Sequence, residues 1–451
     1  MDDHPSRCGL PGCHTAHCIC RVAKFGVVCV QTGRSMNPKL MIILVGLPAR
    51  GKSTLSLRLC RAFEVEGVCS DVFNNGELRR RELGALSSLP SFYNPDDMEK
   101  RGQRDGIALK NVRMAKEFFH GGGQVAILDG TNADRRRREL LERELGGMPI
   151  LYIECINDDP ELLEASILRK SKLPEFAHLS RAEAVRSFQQ RIEFYEKSYT
   201  PLGEERNFIK VNTLFHKVVS EKNSDELPYY ARIRDILVSP WVRNLYLVRH
   251  GQSEYNLCNR IGGDPPLTDK GIVQAQALAD HFQGVPLTYI FTSTARRSIQ
   301  TADPLRLLYP EANVIALSEL DEINAGVCEN MRYEDIQREM PEEFKARVAD
   351  KYNYIYPHGE GYATLRSRVD RGLRKALFLS GDVGAIMMIG HQAINRMILS
   401  YFLYRRESDV PHIYIPQDQY YHIVATQQKK LFEMVRFIDR KGEGVLLPTG
   451  G

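Results

Sequence analysis

LMIILVGLPARGKS, residues 40–53, is an apolar run followed by a glycine-spaced loop. The six apolar residues at 40–45 predict a short strand buried on both faces. The loop is Gly46, Leu47, Pro48, Ala49, Arg50, Gly51, Lys52 and Ser53, the pattern G-x4-G-K-S, with Thr54 just inside a predicted helix over 53–66. Glycines at these places let backbone N–H groups turn inward around phosphates. Lys52 reaches the β/γ oxygens, Ser53 offers a hydroxyl to Mg²⁺, and the helix N-terminus adds positive dipole. A purely structural glycine turn has no need of the Lys-Ser pair. The pattern predicts a nucleotide site with Mg²⁺.

Strands and helices alternate onward from the loop. Strands are predicted at 70–74, 124–128 and 151–153, and helices at 97–119, 160–170 and 181–197. Such alternation predicts a parallel sheet with its ligands at the carboxyl edge. Asp129 ends the third strand, where an acid faces the metal or the attacking hydroxyl. Thr131, Asn132 and the run Arg135–Arg138 follow it. A P-loop alone does not name the acceptor, which could be a nucleoside, a nucleic-acid end or a sugar. Arg79, Arg101 and Arg191 favour a second anionic substrate over a neutral one.

The pattern weakens between Asn207 and Ser239, where a linker is expected, and then restarts. NLYLV at 244–248 predicts a strand delivering Arg249, His250 and Gly251 into a loop. A neutral imidazole is a good nucleophile toward phosphorus, and a neighbouring arginine neutralises phosphoryl oxygens. A lone histidine at a strand end is more often structural, but this one has company. Arg297 opens a helix after another strand, Glu322 follows an extended segment, and His391 follows the strand AIMMI at 385–389. Two histidines, two arginines and a carboxylate at strand–loop junctions make a phosphoryl-transfer site that needs no metal. In it His250 attacks, Arg249, Arg297 and His391 hold the equatorial oxygens, and Glu322 protonates the leaving alkoxide.

The whole chain sets the outer bounds. Its 451 residues suit two or three domains, with 43% apolar and 26% charged residues. A net charge of +4 is too balanced for a dedicated nucleic-acid binder. No run approaches the ~18 apolar residues of a membrane span. Five of the ten cysteines, Cys8, Cys13, Cys18, Cys20 and Cys29, lie in the first 29 residues, and the others are scattered singly. That is no disulfide framework, so a reducing, cytoplasmic compartment is expected. The cluster at 8–20 reads either as soft ligands for zinc or as a disordered leader, and Met36 could serve as an alternative start.

The two halves together resemble the bifunctional 6-phosphofructo-2-kinase/fructose-2,6-bisphosphatase family, from about Lys39 to Glu433. The second half alone resembles histidine phosphatases of the phosphoglycerate-mutase superfamily. The stretches that carry this include GLPARGKS at 46–53, VFNNGELRR at 72–80, RIEFYEKSYTPL at 191–202, LVRHGQSEYN at 247–256, RIGGD at 260–264, EINAGVCE at 322–329 and HQAINR at 391–396. The resemblance implies an α/β fold of two three-layer domains. Residues 1–38 would be a Cys-rich leader, 39–215 the kinase, 216–243 a linker, 244–440 the phosphatase and 441–451 a flexible tail.

Roles are implied position by position. Gly46–Thr54 would bind ATP, with Asp129 as base or Mg²⁺ partner and Lys170 neutralising the transferring phosphate. Arg79, Arg101, Thr131, Arg137, Arg191 and Tyr195 would hold fructose 6-phosphate. His250 would become phosphohistidine and Glu322 would be the acid. Asn256, Gly262, Tyr333, Arg347, Lys351, Tyr362, Gln392 and Arg396 would bind fructose 2,6-bisphosphate. A homodimer is implied as well. Ser53 stands where the family has threonine, Asn157 where it has cysteine and Leu78 where it has tyrosine. Lys172 rivals Lys170 for its role. No basic-basic-x-serine site is present at either end. A one-sided enzyme, a non-catalytic metabolite-binding regulator and a nucleic-acid end kinase–phosphatase are the competing readings.

Overall fold

The apolar runs of the sequence become the central strands of two sheets. The computed structural model describes residues 38–438 apart from Pro240, Asp382, Val383, Tyr404, Gln427 and Gln428. The expected Cys-rich leader, its zinc alternative and the expected tail at 441–451 lie outside the described residues.

The first half runs β1 (Leu40–Val45), α1 (Lys52–Val65), β2 (Ser70–Asn74), α2 (Asn75–Leu83), α3 (Met98–His120), β3 (Val125–Asp129) and α4 (Arg135–Leu145). It continues with β4 (Ile150–Ile156), α5 (Pro160–Lys170), α6 (Arg181–Glu196), β5 (Asn207–Asn212), β6 (Lys217–Asn223) and α7 (Tyr230–Val238). Its sheet has the order β2-β3-β1-β4-β5-β6, parallel except for β6. All six residues of β1 are buried, because helices cover both faces. The chain leaves β1 to one side for β2 and β3, and to the other for β4. The loop after β1 and the end of β3 therefore meet at the switch point where such sheets bind ligands.

Residues 216–243 are not simply a linker. Lys217–Asn223 adds an antiparallel edge strand to the first sheet. Helix α7 then buries Ile233, Ile236 and Leu237 against the core under β1. The sequence KVVSEKN alternates weakly because an edge strand with a solvated face carries charge, not a continuous apolar signal.

The second half runs β7 (Val242–Arg249), α8 (Glu254–Leu257), α9 (Asp269–His281), β8 (Leu287–Thr292), α10 (Arg296–Leu308) and β9 (Asn313–Ala316). Next come α11 (Tyr333–Glu339), α12 (Pro341–Ala349), α13 (Tyr362–Ser380), β10 (Ala385–Gly390), α14 (Gln392–Leu403), β11 (Gln419–Ala425) and β12 (Lys430–Arg436). The order is β12-β11-β7-β10-β8-β9, with β7, β10, β8 and β9 parallel and the other two antiparallel. Gly390 pairs with Arg249 at the ends of β10 and β7. That register alone brings the loops carrying His391 and His250 side by side. Both halves are α/β and three-layered.

Candidate active sites

At the end of β1 the backbone makes the phosphate cradle that the spacing predicts. Gly46 has φ 136°, and a Cβ there would sit 2.6 Å from the carbonyl oxygen of Cys155. Gly51 has φ 85° and opens α1 in the left-handed region. Lys52 folds back over the loop and its Nζ donates to the carbonyls of Gly46 (2.7 Å) and Leu47 (2.6 Å). Burial lowers its pKa to about 8, against the opposing pull of Asp129. Asp129 is buried, and its Oδ2 accepts from Asn74 Nδ2 at 2.5 Å. The Asn74 side chain also caps α2, so the acid and the neighbouring helix are oriented together.

A cavity of about 460 Å³ opens in front of this cradle. Pro48, Ala49, Gly51, Lys52, Ser53 and Thr54 line it, while Gly46 and Leu47 serve as acceptors for Lys52. Lys170 lines it too and Lys172 does not. Burial, and next the Lys52 charge, depress the Lys170 pKa to about 7. At the far end lie Arg79, Arg101, Thr131, Arg137, Arg191 and Tyr195. Of the basic run at 135–138, Arg137 reaches the cavity. Arg135 pairs with Glu139 at 2.9 Å, and Arg138 is buried against Glu205 at 2.8 Å.

Three groups here carry no sequence signal. Glu175 is buried and accepts from Arg79 Nη2 at 3.0 Å, Arg80 Nη1 at 3.2 Å and Ser88 Oγ at 2.7 Å. Tyr93 stacks beneath the Arg191 guanidinium at 4.3 Å and accepts from Arg79. Phe378 reaches this cavity from α13 of the second half. Burial, then Arg191, lowers the Arg79 pKa to about 10. Asn157 is buried and turns its Oδ1 to the N–H of Asp159. Leu78 is buried as well.

The second site forms where β7, β10 and β8 end. His250 Nδ1 is 2.7 Å from the carbonyl of Gly251. A carbonyl only accepts, so Nδ1 carries the proton and Nε2 presents its lone pair. Arg297 Nε donates to that Nε2 at 3.3 Å. Burial, then the charges of Arg297 and Arg249, hold the His250 pKa well below its ordinary value, so the ring stays neutral. His391 lies with its ring centroid 5.0 Å from that of His250, and its Nε2 is 2.7 Å from Ser293 Oγ. Glu322 Oε2 accepts from the N–H groups of Gln392 (3.0 Å) and Ala393 (3.4 Å), and Oε1 from that of Ile323 at 3.0 Å.

A cavity of about 580 Å³ covers His250, Arg249, Arg297 and Glu322. Asn256, Gly262, Tyr333, Arg347, Lys351, Tyr362, Gln392 and Arg396 line it. His391 stands behind His250 and is fully buried. The cations rest on protein acceptors. Arg347 Nε donates to Tyr356 Oη (2.7 Å), and Arg396 Nη1 to Tyr362 Oη (3.0 Å). Lys351 Nζ, Arg396 Nε and Arg249 Nη1 donate to the carbonyls of Pro411, Ile413 and Ile415, all on one strap. Burial, then the Arg347 and Arg396 charges, lowers the Lys351 pKa to about 8. Gln417, which the sequence does not single out, donates to the His250 carbonyl at 3.2 Å and to Asn256 Oδ1 at 3.0 Å.

A phosphate cradle with an acid at the next strand end is a P-loop kinase site. A neutral, buried histidine between arginines with an acid opposite is a histidine phosphatase site. The chain is thus a kinase fused to a phosphatase. Residues 29–230 match the family 6-phosphofructo-2-kinase, and residues 245–438 match the Histidine phosphatase superfamily (branch 1).

Whole-chain relatives agree. The chain is 36% identical over 403 residues to 6-phosphofructo-2-kinase/fructose-2,6-bisphosphatase 3 of Rattus norvegicus, covering 85% of this chain and 70% of that one. It is 36% identical over 395 residues to form 1 of Bos taurus, covering 84% and 80%. Among solved structures, the alpha-ribazole phosphatase of Shigella flexneri matches at 24% identity and TM-score 0.39, over 43% of this chain and 96% of that one. The chain belongs to the 6-phosphofructo-2-kinase/fructose-2,6-bisphosphatase family.

Proposed function

We propose that the two cavities run opposite steps on one metabolite. The first makes fructose 2,6-bisphosphate from ATP and fructose 6-phosphate, and the second returns it to fructose 6-phosphate and phosphate. This sets the level of a bisphosphate that controls the direction of sugar-phosphate flux. The observation that carries the reading is that one chain lines one cavity with Lys52, Asp129, Lys170 and the sugar-end arginines, and another with His250, Arg249, Arg297 and Glu322.

In the kinase, the P-loop N–H groups and Lys52 cradle the triphosphate. The sugar 2-hydroxyl attacks the γ-phosphorus, Asp129 takes its proton, and ADP leaves. Lys170 neutralises charge on the transferring group. Arg79, Arg101, Arg137 and Arg191, with Thr131 and Tyr195, hold the sugar phosphate, and Glu175 fixes the Arg79 fork. The Ser53 hydroxyl and the Asp129 carboxylate both face the cavity. These hard oxygen donors suit Mg²⁺, which when bound would neutralise charge on the phosphates.

In the phosphatase, His250 Nε2 attacks the 2-phosphorus while Arg249, Arg297 and His391 hold the equatorial oxygens. Glu322 gives a proton to the departing sugar oxygen. Its carboxylate then takes a proton from the water that attacks phosphohistidine, releasing phosphate and restoring His250. Arg347, Lys351 and Arg396, with Tyr333, Tyr362 and Gln392, clamp the phosphate that is not transferred. Asn256 and Gly262, which line the same cavity, complete the contacts to the sugar bisphosphate. No metal enters this step.

We further assign the protein to the cytoplasm as a homodimer. Cys60, Cys69, Cys155, Cys258 and Cys328 are free thiols, as a reducing compartment allows. Among the described residues, no helix is long and apolar enough to cross a membrane. Strand β6 offers an open sheet edge with Val219 exposed. A paired assay tests the function: ATP-dependent formation of fructose 2,6-bisphosphate, then its hydrolysis without ATP, on one purified sample. Absence of either activity would refute the two-way reading. Sedimentation at micromolar concentration tests the dimer.

A further inference from the structure

We propose that Phe378, a residue of the phosphatase half, is a nucleotide-binding residue of the kinase. Helix α13 spans both sites. Its first residue, Tyr362, lines the phosphatase cavity and accepts from Arg396. Sixteen residues on, at ~1.5 Å per residue, Phe378 lines the kinase cavity.

The last turns of α13 are fixed against the first half by polar contacts of several kinds. Lys375, 3% exposed, is buried between Glu161 at the start of α5 and Glu319. Arg371 Nη2 reaches Asp159 at 3.1 Å, and Arg374 Nη1 donates to the carbonyl of Phe215 at 2.7 Å. Arg169 donates to the carbonyl of Leu379. A buried ammonium held by two carboxylates makes this docking specific in register, since a shift of one residue would leave a charge unpaired.

Held this way, the ring of Phe378 lies against the P-loop itself. A Cβ on Gly51 would come within 3.1 Å of Phe378 Cε2, and one on Gly381 within 3.3 Å of Thr54 Oγ1. Phe378 also walls a second, apolar recess of about 60 Å³, which Leu55, Val211, Leu237 and Trp241 complete and Gly51 and Thr54 border. The ring thus stands at the junction between the phosphate cradle and an apolar recess beside it. A nucleoside triphosphate with its phosphates on the P-loop has its ribose and base to place beyond them. The recess is mostly apolar, with Arg58, Thr213 and His216 also on its wall, and Phe378 borders both it and the kinase cavity. Stacking and packing on a ring are tolerant of base identity, so the contact serves the nucleotide class and not one base.

The inference rests on the P-loop being the ATP site, and the test separates the two. In the full chain, Phe378→Ala is expected to raise the kinase KM for ATP about tenfold, with the KM for fructose 6-phosphate within twofold of wild type. GTP, if used, would lose by the same factor. Phe378→Tyr keeps the ring and is expected to restore the ATP value. Hydrolysis of fructose 2,6-bisphosphate is expected to be unchanged in both variants, which also reports that α13 has folded.

An unmoved KM for ATP in Phe378→Ala would overturn the inference. So would a parallel loss of both activities that Phe378→Tyr does not relieve. Lys52→Met, assayed alongside, reads the site itself. Kinase activity surviving that change would overturn the nucleotide reading and the inference with it. Its loss, with the KM for ATP unmoved in Phe378→Ala, would overturn the inference alone.

Discussion

Nucleotide binding to the kinase site should draw protons from solution, by an amount set by two lysines. In the ligand-free site burial holds the Lys170 pKa at about 7 and the Lys52 pKa at about 8. At pH 8 Lys170 is then roughly one-tenth charged and Lys52 about half charged. A triphosphate placed between them favours the ammonium form of both. The expected uptake is about 1.4 protons per nucleotide at pH 8 and about 0.3 at pH 6.5. Titration calorimetry of a magnesium-loaded, non-hydrolysable ATP analogue, run in buffers of different ionisation enthalpy, reads that number from the slope of heat against ionisation enthalpy. Lys170→Met is expected to bring the uptake at pH 8 down to about 0.5, the share of Lys52 alone. The same shifts have a sign for stability. Folding lowers both pKa values below the unfolded lysine value of 10.5, so the unfolded chain binds more protons between about pH 7 and 10.5. The two lysines therefore make the ligand-free protein more stable as the pH rises through that window. An uptake near zero at pH 8, or the same uptake in Lys170→Met, would refute the placement of neutral lysines in the ligand-free site.

Three further expectations concern single side chains. His250→Ala should abolish hydrolysis of fructose 2,6-bisphosphate and leave kinase turnover intact; surviving hydrolysis in a steady-state assay would remove His250 as the nucleophile. Glu322→Gln should lower the hydrolytic kcat by about 10²–10⁴-fold with little change in KM, because the amide keeps the carbonyl acceptor for Gln392 N–H but has no proton to give. Arg79→Ala should raise the KM for fructose 6-phosphate and also lower thermal stability, since it leaves the buried Glu175 with one charge partner fewer; Arg79→Ala/Glu175→Gln should recover the stability but not the KM.

The fold was legible where one segment specifies itself. LMIILV and AIMMIG are apolar throughout because both faces of their sheets are covered, and each ends in the loop that carries its chemistry. Strand–loop junctions therefore exposed Lys52, Asp129, His250 and His391 to a reading of sequence alone. Glu175, Tyr93, Gln417 and Phe378 stayed hidden because their partners are remote. Glu175 meets Arg79 across 96 residues, and Gln417 meets Asn256 across 161. Nothing local to a glutamate in Pro174–Phe176 or a glutamine before β11 marks it. The edge strand β6 was missed for another reason, since most of its side chains face water and its pairing lies in the backbone.

The two sites manage their cations differently, and the difference follows from what each must release. At the sugar end of the kinase, Arg79 and Arg137 are paired with carboxylates, Glu175 and Asp105. An incoming phosphate there competes with a charge already in place, which limits how tightly it binds while keeping the arginines oriented. In the phosphatase, Arg249, Lys351 and Arg396 rest on neutral carbonyls of the 411–415 strap. Among the described residues no carboxylate forms an ion pair with these three, so a bisphosphate meets cations held by carbonyls, and burial first, then the neighbouring arginine charges, drives His250 and Lys351 toward their neutral forms. The cations that would attract the substrate therefore add to burial in keeping His250 unprotonated. A site proposed to bind a doubly phosphorylated sugar and attack it with imidazole gains on both counts from resting Arg249, Lys351 and Arg396 on carbonyls.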